Sequence, residues 1–225
     1  MIKYNEIHIN DIHDTTIDKL YADLLITRLN FFILKKENQN YILTKERSFF
    51  QIDDLNHFIS LANDDIYYKT MIWPKNIQKE NYLESDLKIF KNYLDQYKAS
   101  MTKQYGNEYL FGCIAVRTKN DSFITTIRGK KSLNEFTLVI SVDDNNHIVN
   151  VNGKKATLNA PLLNHLFENK RVKAIVHLHD YNNALPYDEY AFPGTIRDSF
   201  RKNNTSFNIS QHGFFLLFDK NGKRL

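Results

Sequence analysis

Cysteine is nearly absent: Cys113 stands alone among 225 residues. A single thiol makes no internal disulfide and no cysteine-based zinc cluster, and this usage fits a reducing, cytoplasmic setting. Long apolar runs are missing too. None approaches the ~18–20 residues that cross a bilayer, and the opening Met1-Ile2-Lys3-Tyr4-Asn5-Glu6 is not a secretory signal. No membrane partner is expected. Charge of one sign is also scarce, with 30 Lys+Arg against 26 Asp+Glu and a net +4. The strongest basic cluster, Arg128-Gly129-Lys130-Lys131, is too short for a nucleic-acid stripe, so nucleic acid is not an expected partner. At most the charge balance favours anionic ligands mildly. What remains is ordinary for a folded domain: 42% hydrophobic and 25% charged residues exclude a disordered chain.

Glycine and proline are absent from long stretches, and that absence divides the sequence. All seven glycines lie at or after Gly106, and Pro74 is the single proline before residue 160. Glycine marks tight turns and close backbone approach, so the turn-rich, site-bearing part belongs to the second half. A boundary between Pro74 and Gly106 follows, giving an N-terminal α/β segment over 1–100 and a second domain over 101–225.

In the first segment, Ile17, Leu20, Tyr21, Leu24 and Leu25 recur at helical spacing and predict a helix over 15–29. Phe31-Phe32-Ile33-Leu34 and Tyr41-Ile42-Leu43, flanking a polar turn, predict a hairpin. Further helices are expected over 53–61 and 84–101, the second with Leu87, Phe90, Leu94 and Tyr97 on one face. That aromatic stripe reads as core. Nothing in residues 1–100 names a chemistry.

From Tyr109 the rhythm changes to strands and short turns. Strands are expected over 110–117, 122–126, 138–142, 147–151, 171–179 and 207–218, with a helix over 157–168 that tolerates Pro161 in its first turn. Strands and helices mix without regular βαβ alternation, which favours an α/β sandwich over a doubly wound sheet.

The chemistry-bearing residues are His177-Leu178-His179 and His212-Gly213. The first pair ends the apolar run Val172-Lys173-Ala174-Ile175-Val176, and residues i and i+2 of a strand share a face. Both imidazoles would project together from a buried strand. A catalytic zinc commonly takes three protein ligands and one open position. His212 supplies the third nitrogen if its strand pairs near the first. An isolated His-x-His is more often structural than metal-binding, and His8, His13, His57, His147 and His165 lack even that context.

The text around these histidines resembles the class II aldolase/adducin family. The pieces are Gly112-Cys113-Ile114-Ala115-Val116-Arg117, Phe123-Ile124-Thr125-Thr126-Ile127-Arg128-Gly129, Val142-Asp143, Ala174-Ile175-Val176-His177-Leu178-His179, the segment from Tyr190 to Thr195, and Gln211-His212-Gly213. They occur in the family's order, from about Tyr105 to Phe218. The resemblance implies a three-layer α/β/α sandwich with a mixed central sheet, here preceded by an N-terminal α/β extension. It also implies a zinc or other divalent ion on His177, His179 and His212. Thr126, Gly129 and Asn159 fall where members bind a substrate's phosphate or carboxylate, and Lys130 and Lys131 add positive charge there. The implied activity is that of a metal-dependent lyase or epimerase acting on a small sugar or sugar phosphate through a metal-stabilised enediolate. A homo-oligomer, a tetramer in many members, is implied as well.

The sequence departs from the family at several places. Members with aldolase activity carry a glutamate where this chain has Pro161, and proline moves no proton. The early strand has Cys113 and Ala115 where the family has Asn and Ser, and the family's usual C-terminal helix would lie beyond Leu225. Asp180, Glu189 and Tyr190, near the metal motif and the Pro193-Gly194-Thr195 turn, are the candidate replacement acid/base groups. The alternative is an adducin-like binding module that keeps the metal site and has lost the chemistry.

Overall fold

A computed structural model describes residues 3–45, 48–73, 82–101, 110–118, 121–180, 182–201 and 203–225. Pro74, Gly106, Tyr109, Lys119 and Asn120, on which some of the expectations rest, lie outside the described residues. The chain divides into two compact units, the first running to Asp65 and the second starting at Ile66. The division thus falls well ahead of residue 100, because the strand and helix that follow Ile66 pack with the second unit. Composition hides this: residues 66–105 are as free of glycine as those before them.

The first unit holds strands β1 (Tyr4–His8), β2 (Phe31–Lys36), β3 (Gln39–Thr44) and β4 (Phe49–Ile52), and helices α1 (Asp14–Ile26) and α2 (Leu55–Asp64). The strands pair in the order β1-β2-β3-β4, with β1 parallel to β2 across α1 and the rest antiparallel. Ile17, Tyr21 and Leu24 of α1 are buried, as the helical spacing predicts. The Phe58 ring of α2 meets Phe31 edge-on at 5.4 Å. Asp54 caps α2 by accepting from the His57 amide at 2.8 Å, the usual service of an aspartate at that position.

The second unit is built on a nine-stranded mixed sheet. Its strands are β5 (Lys69–Trp73), β6 (Cys113–Arg117), β7 (Phe123–Thr126), β8 (Phe136–Asp143), β9 (Ile148–Asn152), β10 (Ala174–Leu178), β11 (Tyr187–Asp188), β12 (Phe207–Ile209) and β13 (Gly213–Phe218). They order as β11-β12-β13-β10-β6-β7-β8-β9-β5. All neighbours are antiparallel except β11/β12 and β5/β9. The expected strand over 207–218 is two: Ser210, Gln211 and His212 turn the chain between β12 and β13, with Gln211 at φ 62°. Helices α3 (Glu84–Tyr97), α4 (Ala160–Leu166) and the short α5 (Ile196–Ser199) complete the unit.

Both faces of this sheet are apolar, which is why β10 reads as a continuous run rather than an alternation. On one face Cys113, Ala115, Ile175, Phe215 and Leu217 pack with Leu162, Leu163 and Leu166 of α4. On the other, Ile114, Val116, Val176, Leu178, Leu216 and Phe218 pack with Phe90 of α3. Lys173 ties α3 down, its Nζ donating to Asp86 at 2.8 Å. Among the described residues no helix is long and apolar enough to cross a membrane.

Candidate metal centre

The three histidines of the sequence motifs converge. His177 lies on β10, His179 follows it directly, and His212 closes the turn into β13, the antiparallel neighbour of β10. Their ring centroids form a near-equilateral triangle of 4.8, 4.7 and 4.9 Å. One ligand nitrogen from each lies within 4.8 Å of the others, and among the described residues no carboxylate or thiol joins that group.

Local packing sets this geometry. His177 pairs across the ladder with Phe215, and the two rings stack at 4.1 Å and 14°. Its Nδ1 lies 3.0 Å from the Phe214 carbonyl oxygen. A carbonyl only accepts, so in the neutral ring Nδ1 carries the proton and Nε2 keeps a lone pair. That Nε2 is buried with no hydrogen-bond partner among the described residues, and so is Nδ1 of His212. Two glycines let neighbouring backbone close on β10 from either side. A Cβ on Gly112 would stand 2.6 Å from the His177 oxygen, and one on Gly213 would stand 2.1 Å from the Leu178 oxygen. Both adopt positive φ, at 84° and 129°, where glycine alone is at ease.

Electrostatics keeps the rings neutral. Burial pushes His177 down to about 3, against the help of its bond to Phe214, and the nearby Lys130 charge lowers it further. His179, partly exposed at the strand end, is held well below the ordinary range by desolvation, then by His177 and Lys130. His212 is lowered likewise by burial, by the other two rings and by Arg201. Neutral imidazoles are the ligand form. The orphaned ring nitrogens and the all-nitrogen donor set therefore fit a divalent ion, zinc foremost.

The other expected site residues divide. Thr126, at the end of β7, is fully buried, and its hydroxyl has no partner among the described residues. Asn159 sits just before α4 without capping it; its Oδ1 is buried and unpartnered. Thr157 and Asn159 instead lie by the Cys113 sulfur, whose thiol is pushed up by burial against the lowering influence of Lys130 and of these two side chains. Cys113 is the cross-strand partner of His177, so this polar cluster adjoins the triad. Lys130 is buried, with Nζ donating to the Gly112 oxygen at 2.5 Å. Lys131 and Gly129 are exposed, the glycine turning at φ 61°. Asp180 and Glu189 are exposed, and Tyr190 is partly buried with its hydroxyl covered. Neither Asp180 nor Glu189 adds an atom to the ligand group.

Sequence reasoning missed the ion cluster whose charge reaches His212. Arg201 is buried and bridges two carboxylates, Asp188 at 2.9 Å and Asp198 at 3.1 Å. Burial opposes ionisation of Asp188, yet Arg201 and Asn203 hold its carboxyl below the usual range. The three-residue spacing of Asp198 and Arg201 was the available signal, and it is too common to single out.

No family model matches the chain, and no curated protein matches it in sequence. Among solved structures it is similar to YgbL from Escherichia coli, named as a candidate aldolase/epimerase/decarboxylase, at 16% identity and a TM-score of 0.43, over 58% of this chain and 76% of that one. YgbL from Klebsiella pneumoniae matches at 15% identity and 0.42, over 58% and 78%. An L-fuculose 1-phosphate aldolase matches at 14% identity and 0.46, over 62% and 77%. These likenesses are loose, and the chemistry is read from this chain's own residues.

Proposed function

We propose that this protein is a divalent-metal-dependent lyase or epimerase acting on a small sugar or sugar phosphate, with His177, His179 and His212 holding the ion. The observation that carries this reading is the pair of buried, unpartnered ring nitrogens, Nε2 of His177 and Nδ1 of His212, within a triad of mutually close neutral imidazoles. Buried polar atoms left bare are uncommon and ask for an explanation; a bound ion supplies one. Zinc, or another divalent ion, would contribute Lewis acidity toward the two oxygens of a hydroxy-ketone and favour its enediolate.

The remaining roles fall to the chain. Thr126 and Asn159 each keep a buried oxygen free for a ligand, the hydroxyl able to donate or accept and the amide oxygen to accept from a sugar hydroxyl. Lys130, Lys131 and the backbone at Gly129 would hold a phosphate or carboxylate. Proton transfer is assigned to Glu189, Tyr190 or Asp180, with Tyr190 favoured by its covered hydroxyl. The same reading takes the second unit, which reaches back past the expected residue 101 to Ile66, as the aldolase-like domain in three α/β/α layers; α3 and α4 packed on the two faces of the large sheet support it. A cytoplasmic homo-oligomer, tetrameric by resemblance, belongs to it.

One observation favours a second reading. Pro161 occupies the first turn of α4, where the resemblance calls for a glutamate, and a metal-retaining, adducin-like binding module needs no such acid. Elemental analysis of protein purified without chelators tests the metal. Wild type should carry about one ion per chain, as a single three-ligand site requires, and the His177→Ala/His179→Ala double variant none. Equal and negligible metal in both would end the reading. With metal established, turnover on a panel of sugar phosphates separates the enzyme from the module.

A further inference from the structure

Lys130 is 4% exposed, and lysines are almost never so buried unless paired. Among the described residues no carboxylate pairs with it; its amine donates to the Gly112 oxygen. Gly112 precedes Cys113, the cross-strand partner of His177, and its backbone closes on the His177 carbonyl. Lys130 is thus anchored on the β6 side of the strand that carries the histidines. His212 approaches the same strand from the β13 side. Burial lowers the amine to about 8, which Cys113 partly offsets, so at neutral pH most of it keeps its proton.

An uncompensated buried cation costs the fold stability. Its charge acts on His177 and His179, and the ligand group they form with His212 holds no carboxylate among the described residues. A divalent ion on the triad would leave the surroundings more positive still. Such an arrangement is of use to a ligand that brings negative charge, because fixed charge in a water-poor site acts strongly and needs no reorganisation.

We propose that Lys130 sets the charge of the ligand this centre accepts: its ammonium complements an anionic, enolate-like oxygen held at the triad and weakens the triad's grip on a bare dication. This rests on the metal-centre reading above and adds a specificity-determining residue outside the ligand set.

The test compares wild type with Lys130→Met and Lys130→Arg. Zn2+ and Co2+ are titrated first. Acetohydroxamate, an anionic oxygen chelator, and imidazole, a neutral ligand, are then titrated into the Co2+-loaded proteins and read from the visible cobalt bands. Lys130→Met should bind Zn2+ about tenfold more tightly and acetohydroxamate about tenfold more weakly, with imidazole unchanged within about twofold, as a lost Coulomb interaction requires. Lys130→Arg should keep the hydroxamate affinity. Metal-free Lys130→Met should melt no lower than wild type, whereas a lysine kept for structure alone would lower the midpoint; Lys130→Gln takes its place if Met does not fold. Equal affinities in wild type and the methionine variant overturn the inference, as does a parallel loss of hydroxamate and imidazole. Wild type that binds neither ion instead overturns the metal-centre reading itself.

Discussion

Gly213 lies so close to Leu178 that a Cβ there would stand 2.1 Å from the Leu178 oxygen. The contact seats the turn bearing His212 against the end of the strand bearing His177, at a φ of 129° that other residues resist. Gly213→Ala should therefore force the two strands apart and lower stability by about 2–4 kcal/mol, within the upper range for strained or overpacked sites. Urea denaturation reads the stability and Zn2+ titration the geometry. Both should fall together, and an unchanged midpoint with unchanged Zn2+ affinity would remove Gly213 from the account.

Acid should weaken the metal-free protein through its triad. His177 is held down to about 3, and His179 and His212 also lie well below the ordinary value. The unfolded chain takes up these protons near pH 6.5 while the folded one does not, so stability rises with pH across that interval. Between about 6 and 3 His177 removes roughly 1.4 kcal/mol per pH unit as pH falls, and His179 and His212 act in the same direction. Replacing the three histidines by glutamine should flatten that slope in denaturation curves taken between pH 7 and 4; an unaltered slope would mean that other groups carry it.

Thr126 offers a cleaner separation of stability from function. Its buried hydroxyl has no partner among the described residues, so Thr126→Val removes a bare polar atom at nearly constant shape. The variant should match or exceed wild type by up to about 1 kcal/mol, because replacing an unsatisfied buried group is neutral or favourable. If the hydroxyl serves a ligand, the same change weakens sugar-phosphate binding in calorimetry. A destabilised variant would argue for a structural bond instead.

The ion pair between Lys173 and Asp86 fixes α3 on the sheet, with the aspartate side chain 6% exposed. Asp86 also accepts from the Leu83 amide at 2.9 Å, so it holds the helix start as well. Asp86→Ala leaves a partly buried ammonium without its carboxylate and should cost about 1.5–3 kcal/mol, the range for hydrogen bonds to charged groups. Adding Lys173→Met should recover much of the loss, and a double variant no better than the single would show that the helix cap, not the pair, is what matters.

The triad is legible in the sequence because its signals are local. A buried apolar run ending in His-x-His fixes two ligands on one face, and a His-Gly beside another apolar run offers the third. The break at Ser210-Gln211-His212 is not legible, since three residues between two apolar stretches read as part of one strand over 207–218 and glutamine gives no hint of φ 62°. The unit boundary escapes for a different reason. β5 joins the second unit through parallel pairing with β9, a contact too distant along the chain for composition to register. Lys130 and Lys131 are indistinguishable as letters; burial selects the first because the Gly112 oxygen waits for it just ahead of β6.

Strand β10 stands fourth among nine, bonded to β13 on one side and β6 on the other. Its amides should be among the last in the molecule to exchange with solvent, since central strands open only with the whole fold. Ligands mounted on such a strand arrive at their positions when the chain folds, long before any substrate does. Selection at this site then works by fit to a finished mould, and whatever adapts during binding must come from the molecule that enters.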